Sequence, residues 1–67
     1  MKEFWTGDLI GKMHNYEVSR QEIADVLGVT EAYLSMILNG RYAPKDARAK
    51  LEGAFHEVLR RRKEESN

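Results

Sequence analysis

Residues 20–40, RQEIADVLGVTEAYLSMILNG, constrain the fold of this chain more than any other stretch. Ile23, Leu27, Leu34 and Ile37 are spaced to give two short helices one shared apolar core. Ala24 is small where the second helix must approach closely. Gly28 falls where the chain must turn sharply, at a positive φ that glycine reaches without steric cost. Val29 fills the turn, and Thr30 is placed to cap the helix that follows. Seven positions (23, 24, 27, 28, 29, 34 and 37) thus hold the residue type that a helix-turn-helix needs, in one register.

The flanks extend the helical reading. Trp5, Leu9 and Met13 recur every fourth residue with Ile10 alongside, which predicts a first helix from about Glu3 to His14. Gly7 and Gly11 weaken it by roughly 1 kcal/mol each relative to alanine, so Thr6 is an alternative starting cap. Asn15 and Tyr16 lead into Val18 and a connection. Ser19-Arg20-Gln21-Glu22 fits a capping box, which starts helix two at about Arg20, and Gly28 stops it. Helix three is expected from Glu31 to Leu38, with Asn39-Gly40 as its stop. Pro44 suits the first turn of a fourth helix. Ala47, Leu51, Ala54, Phe55, Val58 and Leu59 give that helix its buried stripe, and Arg60-Arg61-Arg62-Lys63 ends it ahead of a frayed Glu64–Asn67. The expected fold class is all-α: a four-helix unit with a longer C-terminal helix, one domain over 1–67.

Composition narrows the function classes. With 67 residues there is room for one core. There is no cysteine, hence no disulfide framework and no thiolate metal site. The apolar runs are too short for a transmembrane helix or a signal-peptide core, so a cytoplasmic location is expected. Net charge is zero, but its distribution is uneven: residues 1–30 hold three basic and five acidic side chains, residues 31–67 eight and six. Within 41–50, Arg41, Lys45, Arg48 and Lys50 stand against Asp46 alone.

The motif and its flanks resemble the lambda-repressor-like, Xre/Cro-type family of phage and bacterial regulators. Arg20, Glu22, Ile23, Ala24, Leu27, Gly28, Val29, Thr30, Leu34, Ile37, Asn39 and Gly40 carry the likeness. The stretches Trp5–His14 and Tyr33–Gly40 are especially similar to short prophage-associated members. The resemblance covers about residues 4–60. It implies a transcriptional regulator of repressor type that binds double-stranded DNA as a homodimer on a pseudo-palindromic operator. Two departures stand out. Many relatives carry a fifth helix or a separate oligomerisation domain, whereas this sequence closes after four helices. Helix three opens on acidic Glu31, where phage repressors often have an amide.

On a helical period with Leu34 and Ile37 inward, Ala32, Met36 and Asn39 point outward, flanked by Tyr33 and Ser35. Base edges in a major groove are reached mainly from the N-terminal turns of the inserted helix, so Glu31, Ala32, Ser35 and Met36 are the candidate base readers. Ala32 and Met36 suit thymine methyl groups, Ser35 donates or accepts, and Glu31 can accept from a cytosine amino group. Glu31 is equally a favourable partner of the helix dipole. Tyr33 reaches phosphate or packs at the rim. Arg20, Thr30 with the helix N–H groups, Asn39, Arg41 and Lys45 are the candidate phosphate contacts. For the cations the plain alternative is a solvated surface charge, and the Arg60–Lys63 run reads as a solvated helix end.

Other chemistry finds no constellation. His14 and His56 have no second ligand at helical spacing, and no nucleophile or glycine-rich cradle accompanies Asp8 or Glu57, so neither a metal, a cofactor, a small-molecule ligand nor an enzyme is expected. Phe4-Trp5 reads as a cap on the core or a dimer patch. The alternative function is a protein-interaction module that docks on another regulator through Leu51–Leu59 or the Phe4-Trp5 corner.

Overall fold

The computed structural model describes residues 5–65, which form four helices and no strand: α1 Trp5–Asn15, α2 Arg20–Leu27, α3 Glu31–Leu38 and α4 Ala47–Glu65. Both α3 and α4 pack on α1 and α2. Fourteen buried hydrophobic residues make one cluster to which every helix contributes, with Ile10, Val26, Leu27, Val29 and Leu59 packed around it. Leu9, Ile23, Leu34 and Leu51 lie deepest, one from each helix.

The first three helices end alike. At each end a residue in the left-handed region lets two N–H groups fold back onto the last turn's carbonyls. At α1, Glu17 (φ 56) does this: Glu17 N–H donates to His14 and Val18 N–H to Met13. At α2, Gly28 (φ 73) donates to Asp25 and Val29 to Ala24. At α3, Gly40 (φ 77) donates to Ile37 and Arg41 to Met36. This pattern satisfies carbonyls that would otherwise be orphaned and turns the chain sharply. Glycine suits the turn at Gly28 and Gly40, whereas Glu17 holds it against a Cβ penalty.

The helix starts follow the sequence closely. Ser19 Oγ accepts from Glu22 N–H at 3.1 Å, and the Glu22 carboxylate accepts from Ser19 N–H at 2.9 Å, a complete capping box. Thr30 Oγ1 accepts from Tyr33 N–H at 3.0 Å. At α1 the helical residues begin with Trp5 and run to Asn15; the expected start at Glu3 lies outside the described residues, as does Phe4.

Three expectations need correction. Pro44 is not in the first turn of α4. Its carbonyl accepts from Ala47 N–H at 3.1 Å in a preceding turn, and the Asp46 carbonyl, accepting from Lys50 N–H, opens the helix instead. The end of α4 runs past Lys63 to Glu65, because Arg60 pairs with Glu64 one turn on. Val18 belongs to the core and not merely to a connection: the turn at Glu17 points it inward, ahead of the Ser19 cap. Val18 and Ile23 thus occupy the two positions of a hydrophobic staple, both buried.

Arg62 closes the fold across a long sequence distance. Its guanidinium donates to the Tyr16 and Glu17 carbonyls at 2.7 Å each and to the Glu22 carboxylate at 2.9 Å. The end of α1, the start of α2 and the last turns of α4 are thereby held on one side chain.

Candidate nucleic-acid interface

The two faces of α3 are chemically separate. Leu34, Ile37 and Leu38 are buried, which fixes the helix against α1 and α2 by its apolar side. The opposite side presents Glu31, Ala32, Tyr33 and Met36 to solvent, with Ser35 half-buried among them. Met36 is 45% exposed, so the core does not hold its side chain. Asn39, Arg41 and Lys45 continue this exposed surface past the helix end. Their backbone is pinned there: Asn39 N–H donates to the Ser35 carbonyl, and Arg41 and Tyr42 N–H groups converge on the Met36 carbonyl.

At the N-terminal end the Thr30 cap takes the Tyr33 N–H, and the Thr30 carbonyl takes that of Leu34. Thr30, Glu31 and Ala32 form an exposed rim at the positive end of the helix. The acid of Glu31 lies in that first turn.

The basic stretch after α3 divides into paired and unpaired cations. Lys50 bridges Asp46 at 3.1 Å and Arg48 bridges Glu52 at 3.2 Å, each within α4 or at its head. The Lys50 ammonium holds the Asp46 carboxyl below its ordinary value. Arg41 and Lys45 form no ion pair among the described residues. The charge left uncompensated after α3 is therefore next to it.

Arg20 does not stand free at the head of α2. Its Nη1 donates to Ser35 Oγ at 3.0 Å, joining the first residue of one helix to the outer face of the next. Two groups expected to contact a ligand separately are thus brought together. The Arg60–Lys63 run is used internally instead: Arg60 and Arg61 both bond Glu57, whose carboxyl their hydrogen bonds hold down at about 2, and Arg62 closes the fold.

Tyr42 is a surface residue that sequence reasoning passed over. Its ring meets that of Tyr33 edge to face, with centroids 5.6 Å apart. Partial desolvation foremost, then the neighbouring Tyr42, raises the Tyr33 pKa above its ordinary value. The pairing joins positions nine apart across the α3 end, a relation no helical period signals. Between Tyr33 and α4 lies a cleft of about 110 Å³ lined by residues that include Leu27, Val29, Pro44 and Lys50.

Among the described residues no cluster of histidine and carboxylate groups is arranged to hold a metal ion, and no helix is long and apolar enough to cross a membrane. The search of curated proteins and of solved structures finds no match to this chain. The family model described as Helix-turn-helix matches residues 15–51, more than half of the 67. That span holds α2, the turn, α3 and the loop into α4, the elements that build the exposed surface described above. The chain belongs to this lambda-repressor-like, Xre/Cro-type helix-turn-helix family, a family of DNA-binding transcription regulators.

Proposed function

We propose that this protein is a sequence-specific regulator, of the repressor type carried by phages and mobile elements, that acts as one domain and works by binding double-stranded DNA. The observation that carries the reading is the division of α3: Leu34, Ile37 and Leu38 are committed to the core, while Glu31, Ala32, Tyr33 and Met36 face outward, followed in sequence by Arg41 and Lys45, which form no ion pair among the described residues. A major groove admits one helix, and its N-terminal turns reach the base edges. Glu31, Ala32, Ser35 and Met36 then read bases. Thr30 and the head of α3, Tyr33, Asn39, Arg41 and Lys45 hold phosphates. Two copies on a pseudo-palindrome would place their α3 helices about 34 Å apart, near one helical turn of DNA. The location is the cytoplasm of a bacterial host.

In-vitro selection of random duplexes at about 50 and 200 mM salt tests this. The expected result is an enriched palindrome whose affinity falls steeply with salt, by roughly one log–log slope unit per neutralised phosphate. A second reading, a module that docks on another regulator, draws on the largely apolar cleft beside Tyr33 and on the zero net charge. It predicts no enrichment and little salt response.

A further inference from the structure

One hydrogen bond on the outer face of α3 sets the polarity of a candidate base reader. Arg20 Nη1 donates to Ser35 Oγ at 3.0 Å. A guanidinium carries only donors, so this bond occupies a lone pair of the hydroxyl and leaves its O–H to point elsewhere. A cation at that distance polarises the hydroxyl, making its O–H the better donor and its oxygen the poorer acceptor. Both side chains are half-buried, and Ser35 lies between exposed Ala32 and Met36 along the helix. No carboxylate among the described residues forms an ion pair with Arg20; of the two acids of α2, Glu22 is engaged by Arg62 at 2.9 Å and Asp25 by Gln21 at 2.7 Å. The two side chains together offer donors and a positive charge.

Base edges differ in what they return to such a pair. In the major groove guanine presents two adjacent acceptors, N7 and O6. Adenine sets an acceptor beside a donor, thymine offers a single acceptor, and cytosine offers a donor. Resting on the reading of α3 as the groove helix, we propose that Arg20 and Ser35 act as one donor unit that reads guanine. An N–H of Arg20 and the O–H of Ser35 address N7 and O6, and each side chain holds the other in place. Arg20 is then a specificity residue and not a phosphate contact, and its partner is an acceptor-rich base edge in each half-site.

The test compares the parent with Arg20→Gln and Ser35→Ala by selection and by titration of the selected duplex, with melting curves to confirm folding. The parent is expected to enrich a guanine at one fixed position per half-site. Replacing that base by 7-deazaguanine, which lacks the N7 acceptor, should weaken the parent by about tenfold. Each variant should lose about tenfold of the guanine preference there while keeping the parent's preferences elsewhere. If a variant does not fold, an unaltered affinity of the parent for the 7-deazaguanine duplex still overturns the proposal. A uniform loss of affinity on all sequences, with guanine still preferred, overturns the pair and makes Arg20 a phosphate contact. A selected site with no fixed guanine also overturns it, while leaving DNA recognition by α3 standing. A parent that enriches no sequence overturns both.

Discussion

Arg62 donates to the carboxylate of Glu22 at 2.9 Å across forty residues of sequence, and Glu22 is at the same time the acid of the α2 capping box. One carboxylate therefore receives the Ser19 N–H that starts α2 and the guanidinium that fastens α4 to the end of α1. Arg62→Ala leaves the Tyr16 and Glu17 carbonyls without that donor and Glu22 without its cation. The site is partly open to water, so a loss of about 1–2 kcal/mol is expected from urea midpoints. Arg61→Ala removes a bond to the exposed pair at Glu57 and should change stability by less than about 0.5 kcal/mol.

The same carboxylate gives the protein an acid limb. The Ser19 N–H foremost, then the Arg62 guanidinium, lowers the Glu22 pKa below its ordinary 4.5 in the folded state. A group whose folded pKa is depressed stabilises the fold above its unfolded value, and that contribution is lost as pH falls through the folded value. Stability from Glu22 is thus complete above about pH 4.5 and declines below it. Thermal melts of the parent and Glu22→Gln at about pH 7 and pH 3 should show a smaller acid-induced drop in the variant.

The turn between α2 and α3 depends on Gly28 at φ 73. Open space surrounds its missing Cβ, so the cost of a side chain there is backbone strain and not a clash. Gly28→Val should destabilise by about 1–3 kcal/mol. Glu17→Gly is the converse: it relieves a left-handed non-glycine residue in the equivalent turn and should gain up to about 1 kcal/mol, less the added freedom of the unfolded chain. Equal melting of parent and Gly28→Val would contradict the turn.

Leu34 is fully buried on the inner side of α3. Leu34→Ala leaves a cavity among α1, α2 and α3 and should cost about 2–5 kcal/mol, enough to unfold a marginally stable domain. Gly11→Ala tests the opposite sign. Gly11 is exposed in mid-helix with nothing near its absent Cβ, and the alanine should add about 0.5–1 kcal/mol.

What was legible from the sequence was what depends on neighbours within one or two turns. The Ser19–Glu22 box, the Gly28 turn, the Thr30 cap and the apolar registers of α2, α3 and α4 all appear where local chemistry puts them. Val18 was legible only as part of a connection, because its burial depends on a left-handed Glu17 that no propensity favours. Contacts between distant residues were not legible. An arginine in a basic run looks solvated until the fold brings the end of α1 to Arg62, and nothing in the spacing ties Arg20 to Ser35 or Tyr33 to Tyr42. The candidate interface was therefore legible as a set of residues on one face, but not in which of them act together.

The most direct test of α3 as the reading helix is the affinity of the parent and of a Ser35→Glu, Met36→Glu double variant for the selected duplex and a scrambled one. Met36 is exposed and Ser35 only half-buried, so the folded state should survive both changes. The expected result is a preference of at least about a thousandfold in the parent and none in the variant, whose melting curve remains cooperative. A folded variant that kept the parent's sequence preference would contradict the assignment of α3 to the groove.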